Sequence, residues 1–334
     1  MEIKSFKPIY FKDISSSFSG EQPNLKFGEV PFNILYDFLT DLSNRNKHHL
    51  NHLSTCSGSF KDRRLVECVF LICEELKLDS LAGYQAIEIL ERFMIKHLDH
   101  LFCTYGSSDD DDSGRSVADY IFIRLSQKFN LLIISCIQLA SKLTLHSNVI
   151  DNNTAVKFLK SIGLSYSKDT LLESELLVLK TLNFSISVPN PLMYVETLLE
   201  VLGYNDASAP VSQLYALCHC LLRCAYLQRK PIYHSLLVSA TKCASPSQEQ
   251  RVKFAEVTED FMLLSVGVIA AGAFILNVAS WEQVTCETGL AQNARHKRSS
   301  SLTLLNCRSR CSSCGRRFSF RVRIPALRRN ILWG

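Results

Sequence analysis

The chain has 334 residues, 47% of them hydrophobic and 21% charged, enough for two compact domains with sizeable cores. Nine prolines, 13 glycines and no window alternating cleanly at period two weigh against a sheet protein and for an all-α fold. The net charge of +5 divides unevenly: residues 285–334 hold eleven Lys/Arg against one acid, Glu287, so the remainder is near −5.

The opening "MEIKSFKPIY" has no apolar signal-peptide core, and the 13 cysteines are odd in number. Cys68, Cys73, Cys136 and Cys224 lie at apolar helical positions, where a free thiol packs as a small hydrophobe. A reducing compartment, nucleus or cytoplasm, is expected. Residues 1–60 are a polar segment with short helical stretches around Pro31–Leu42. Here "HHLNH" sets His48 and His52 at helical spacing, followed by Cys56; a solvated polar face explains it better than a metal site.

From Asp62 the helical pattern is strong. Leu65, Val69, Ile72 and Leu76 step by four, three and four, flanked by Val66, Phe70 and Cys73. A second helix carries Ile87, Leu90, Met94, Leu98 and Leu101 on one face. "TYGSSDDDDSGRS" (Thr104–Ser116) reads as a loop, because four adjacent aspartates repel and its glycines disfavour helix. It lacks the ligand spacing of a calcium loop.

"LLIISCIQLASKL" is apolar on every side until Lys142, the pattern of a helix in the middle of a domain. A fourth helix starts at an Asn152 or Asn153 cap and stops at Gly163. A fifth starts at Ser167 and is expected to bury Leu172, Leu176 and Leu179. "SVPNP" then breaks the chain and marks the domain boundary near 188. Helices follow near Leu192–Leu202 and Val211–Leu227, then "FMLLSVGVIAAGAFILNVAS" (Phe261–Ser280). That stretch is long enough for a membrane span, but its small residues suit close packing in a core, so no membrane contact is expected.

Five helices with a wholly buried third resemble the cyclin box over residues 61–188. "EELKLDS…AIEILERFM", "LLIISCIQLASKL" and "LLESELLVLKTLNFSISVPNP" carry the likeness in order and spacing. "LSVGVIAAGAFIL" resembles the third helix of a second box, which makes residues 189–280 a partial, degenerate second cyclin-like domain. The resemblance implies a non-catalytic regulator that binds a cyclin-dependent-kinase-like protein kinase. Lys142 and Glu175 fall on the lysine and glutamate with which cyclins grip the kinase; an internal Lys142–Glu175 salt bridge is the alternative reading of the same residues. Leu131 matches the buried leucine of the third helix, and Glu91 the acid of an internal bridge whose arginine partner is assigned to Arg63. On the substrate-docking patch of cell-cycle cyclins, Lys61 stands for a methionine, Arg64 for an isoleucine and Cys68 for a tryptophan, beside a retained Leu65. The patch is therefore degenerate, and docking of Arg-x-Leu substrates is expected to be absent. Among atypical cyclins, the likeness implies a nuclear role in meiotic recombination and crossover maturation. A cyclin-fold scaffold for repair or ubiquitin-ligase factors is the rival reading, and a single-pass membrane protein through 261–280 is a third.

No Walker loop, G-x-G-x-x-G, G-x-S-x-G or H-E-x-x-H occurs, so neither catalytic residues nor a cofactor are expected. Residues 281–334 form a basic tail, read as disordered, that offers weak nucleic-acid binding through phosphates. Its Cys307, Cys311 and Cys314 have metal-like spacing, but a zinc site would need more ligands from Cys286 or His296, and none is assigned.

Overall fold

The computed structural model describes residues 26–105, 117–144, 149–187 and 190–276, with the backbone of 303–310 and 317–324. The described body is all-α, as the sequence predicts. A leading helix, α1 (Phe32–Asn51), precedes five helices: α2 (Arg63–Glu75), α3 (Ser80–Tyr105), α4 (Val117–Leu143), α5 (Asn152–Ser161) and α6 (Lys168–Thr181). A second group follows: α7 (Pro191–Asn205), α8 (Val211–Leu227), α9 (Arg229–Thr241), the short α10 (Gln248–Lys253) and α11 (Ala255–Thr258), and α12 (Phe261–Ile275).

The ends of these helices follow from local side-chain chemistry. Asp62, Ser167, Asn190 and Asp260 each accept a backbone N–H from the first turn of α2, α6, α7 and α12, which satisfies donors with no helical partner. The cap of α5 is Asp151, one residue before the expected asparagines, and it accepts from Thr154 N at 2.8 Å. Asn152 is used otherwise, its Oδ1 accepting from Gln138 Nε2. Gly163, at φ 83°, ends that turn as expected.

Helix α4 is the axis of the first group. Every residue from Leu131 to Ser141 is buried, enclosed by α2, α3, α5 and α6. The helix begins well before Leu131, at Val117, directly after the expected loop, and α3 runs through Thr104 and Tyr105, the first two residues of that loop; residues 106–116 lie outside the described ones. In the second group α12 is the inner helix, packed on α7, α8 and α1. A side chain at Gly272 would meet Leu214 Cδ1 at 2.8 Å, so the missing Cβ lets α12 lie close against α8. Among the described residues no single helix is long and apolar enough to cross a membrane; α10–α11 and α12 reach that length only together, across a 73° bend.

One apolar core runs through both groups, from Val66 and Phe70 through Tyr84 to Tyr226 and Ile269. Helix α1 closes over it. It is longer than the short stretch expected in the polar N-terminal segment, because Leu35 and Leu42 are buried and Asn46 works as a connector. Asn46 donates to Asp260 Oδ1 (2.9 Å) and accepts from Phe261 N (3.2 Å), while Tyr194 OH donates to Leu42 O (3.1 Å).

Two sequence readings need correction. Helix α6 buries Leu171, Ser174, Glu175 and Val178, whereas Leu172 and Leu176 are 41% and 43% exposed. Leucines surround this helix, so periodicity alone does not select the inner face; Ser135 Oγ, donating to Ser174 Oγ at 2.8 Å, helps to fix it. In the tail, β1 (Thr303–Arg310) pairs antiparallel with β2 (Arg317–Ile324), Thr303 opposite Ile324. The second strand does alternate at period two, with Phe318, Phe320, Val322 and Ile324 between Arg317, Ser319, Arg321 and Arg323. The candidate ligands Cys286, His296, Cys311 and Cys314 lie outside the described residues.

Candidate partner-binding face

A lysine at the end of a buried helix keeps its stem against apolar surface and its ammonium in water. Lys142 does this in the last turn of α4, where a cation also suits the negative end of the helix dipole. Its Nζ donates to Oε1 of Glu175 on α6. The two side chains differ in exposure, 41% for Lys142 and 8% for Glu175. A nearly buried carboxylate therefore has its charge carried to the surface by a half-exposed ammonium.

Exposed leucines border the pair. Leu172 and Leu176 lie one turn apart on α6 and continue around the helix from Glu175, and Leu143 follows Lys142. At the exit of α6, Asn183 and Phe184 both take positive φ, 51° and 59°, and Phe184 is exposed. Asn tolerates that region; for a phenylalanine it is uncommon and strained. Phe184 N donates to Leu179 O at 2.8 Å, so the turn that presents the ring also ends the helix.

The other positions read from the sequence fall as follows. Leu131 is buried in the middle of α4, which starts at Val117. The internal Arg63–Glu91 bridge is absent. Arg63 points to solvent, and Glu91 instead accepts the N–H groups of Gly58 (2.5 Å) and Phe60 (2.8 Å), holding the turn before α2. Burial pushes the Glu91 carboxyl up to about 7, against the downward pull of Lys61.

The cation that enters the core is Lys61, 1% exposed, with Nζ 2.8 Å from both Glu88 and Glu259. Arg229 donates to the same Glu259 (2.6 Å), and Tyr226 OH donates to Glu88 (2.9 Å). Burial alone would lower the Lys61 ammonium, but the two carboxylates outweigh it and raise it above the ordinary lysine value. For Glu259, burial is likewise outweighed, by Lys61 and Arg229, which hold it down to about 2. Lys61 is thus not part of a cationic surface groove, as the substitution for methionine implied. It is neutralised inside the protein. Arg64 is exposed, while Leu65 and Cys68 are half-buried. Across this region Asp62 pairs with Lys230 (2.7 Å) and Glu74 with Arg223, tying α2 to the second group.

Glu88, Glu259 and Arg229 escape a sequence reading because Lys61 and Glu259 are 198 residues apart, so no local pattern joins them. His48 of α1 and His52, which caps its C-terminus, stack with ring centroids 4.2 Å apart, and His52 Nδ1 lies 2.7 Å from His48 O. Among the described residues no group of His, Cys, Asp and Glu has the arrangement of a metal site.

No protein-family model matches the chain. It is similar to cyclin N-terminal domain-containing protein 1 of Homo sapiens, 44% identical over 263 residues, which covers 78% of this chain and 79% of that protein. The protein of the same name from Mus musculus is 44% identical over 267 residues, 78% of each chain.

Proposed function

Because the chain belongs to the family of cyclin N-terminal domain-containing protein 1, we propose that it is a non-catalytic, cyclin-like regulatory protein that binds a cyclin-dependent-kinase-like partner through the Lys142–Glu175 face. One observation carries the reading: a buried carboxylate and a half-exposed ammonium, held on two rigid helices, sit beside leucines that the fold leaves uncovered. A helix greasy on all sides and ending in a lysine makes a stable platform for such a pair, since α4 cannot rotate without breaking the core. The exposed Leu172 and Leu176 supply apolar contact, and the ion pair supplies polar groups that a partner's backbone and side chains exchange into.

The site of action belongs to the same proposal. Following the likeness to atypical cyclins, the protein works in the nucleus and cytoplasm, in meiotic recombination and crossover maturation. With Lys61 buried and Arg64 exposed where cell-cycle cyclins carry their apolar docking patch, substrates reach the bound kinase by another route.

The test is to purify complexes on the wild-type chain, on the charge swap Lys142→Glu/Glu175→Lys, and on Leu172→Asp/Leu176→Asp. A kinase that co-purifies with wild type and is lost from both variants, at unchanged thermal midpoint, supports the proposal. The same partners on all three would make the pair internal structure only and favour a scaffold for repair or ubiquitin-ligase factors.

A further inference from the structure

The chain has nine prolines, and a serine or threonine precedes proline at one place only, Ser245-Pro246. That pair lies in the turn joining α9 to α10, after Lys242, which closes α9 at φ 53°. Ser245 is exposed and enters no hydrogen bond with another described residue. Ser247, two residues on, is engaged: its Oγ accepts from Gln250 N (3.2 Å) and its N–H donates to Gln250 Oε1 (2.9 Å), the capping box of α10. Of residues 241–253 Pro246 alone is buried, and α10 buries none of its own. A turn seated by a single proline opens locally at far less cost than the helices around it. Arg251 reaches back to this turn, Nε donating to Pro246 O at 3.3 Å. Among the described residues that guanidinium has no acid partner; Glu249, the acid nearest in sequence, is taken by Lys253 (3.1 Å).

We propose that Ser245 is a phosphorylation site for a proline-directed protein kinase, with Arg251 as the group that holds the phosphoryl once it is attached. Proline at the next position carries no N–H. A kinase that offers that position no acceptor strands an N–H on every other residue and none on proline, so this dipeptide is what such an enzyme selects. To engage it the kinase lifts Pro246 from its seat, which the local opening of the turn supplies. In the transfer the Ser245 hydroxyl oxygen bonds to the γ-phosphorus of ATP, and the bond from that phosphorus to the β–γ bridging oxygen breaks. ADP leaves with the electron pair, and the hydroxyl proton passes to a carboxylate of the kinase. The product carries close to two negative charges and three acceptor oxygens, next to the carbonyl that Arg251 already contacts. The Nη groups of Arg251 donate to it in charge-assisted bonds, with exposed Lys242 as a second cation on the same turn. The modification thus fastens the α9–α10 turn from its outer side. Cyclin-dependent kinases are proline-directed, so the site names a regulation of the complex proposed above; it rests on that reading for which kinase acts, not for where.

The test is to incubate the full chain with ATP and a purified cyclin-dependent kinase already paired with its own cyclin, and to map the phosphate by mass spectrometry. Ser245 is expected as the main site. Pro246→Ala should cut incorporation there by about tenfold, the cost of one stranded N–H. Phosphate on Ser247 in preference to Ser245, or a yield untouched by Pro246→Ala, overturns the site. On the phosphorylated chain, Arg251→Gln should speed removal of the phosphate by a phosphatase about two- to fivefold, as loss of a partly exposed ion pair requires. An unchanged rate overturns the role of Arg251. The charge swap Lys142→Glu/Glu175→Lys, which tests the partner face, should be modified by the added kinase as wild type is, so failure of that face and failure of this site read out separately.

Discussion

Lys61 lies between two carboxylates in the interior, one from each helical group, and the cost of removing it follows from that position. A buried ion pair contributes little net stability over a packed apolar residue, yet breaking one from a single side leaves uncompensated charge. Lys61→Met should therefore lower the free energy of unfolding by about 3–5 kcal/mol, read from the urea midpoint. Adding Glu88→Gln and Glu259→Gln should return part of it, because the stranded acids are then neutral. A Lys61→Met protein as stable as wild type would show that the acids find other partners. Glu91 bears on a different quantity, the pH profile. Its folded value near 7 lies above the ordinary 4.5 for a glutamate, so its contribution to stability is full below about pH 4.5 and is lost as pH rises through 7. Between pH 5 and 8 the stability of Glu91→Gln should accordingly improve relative to wild type, by on the order of 2–3 kcal/mol; equal slopes would mean the carboxylate is already ionised at pH 5.

At the scale of the element, α6 shows what a sequence tells about a helix and what it leaves open. Leu171 is fully buried and Leu172, its neighbour, is exposed. Leu171→Ala should cost about 2–5 kcal/mol and Leu172→Ala about 0.5 kcal/mol or less, compared by thermal or chemical denaturation. The reverse order would rotate the helix and put Glu175 elsewhere. That this stretch is a helix was legible from Ser167, from its length and from the SVPNP break after it. Its inner face was not, because leucine recurs on all sides and hydrophobicity cannot choose among equal faces. Helix α4 is the opposite case: with apolar residues all round there is no face to choose, so burial of the whole segment could be read directly. For α12 the small residues pointed to close packing, and the approach of Gly272 to Leu214 is that packing. Gly272→Val should cost about 1–3 kcal/mol by overfilling this contact, whereas Gly267, with nothing within 4 Å of an added Cβ, should accept alanine with a gain of about 0.5–1 kcal/mol in helix propensity.

For the whole molecule, the two groups of helices share one core, and polar ties cross between them: Lys61 to Glu259, Asp62 to Lys230, Asn46 to Asp260. The order of the five box helices and of α7, α8 and α12 could be read from local patterns because each carries its own stripe and stop signals; α9, α10 and α11, between Arg229 and Thr258, were not read. These ties could not, because each joins residues far apart in sequence and nothing near either partner marks the other. Arg63 is the case in point: it is exposed, while Lys61, two residues earlier, enters the core and pairs with Glu88 and Glu259, not with Glu91.

The internal pairing of Lys142 with Glu175 also bears on how fast a partner arrives. Two opposite charges already in contact present a short-range dipole to approaching molecules, and its field decays within a few ångströms of the surface. Encounter at this face is then unsteered, with association in the ordinary range of about 10⁵–10⁶ M⁻¹s⁻¹ and little changed by ionic strength. Under the proposed function, discrimination between partners resides in residence time, in how long a bound partner holds the exchanged lysine and glutamate before they close on each other again.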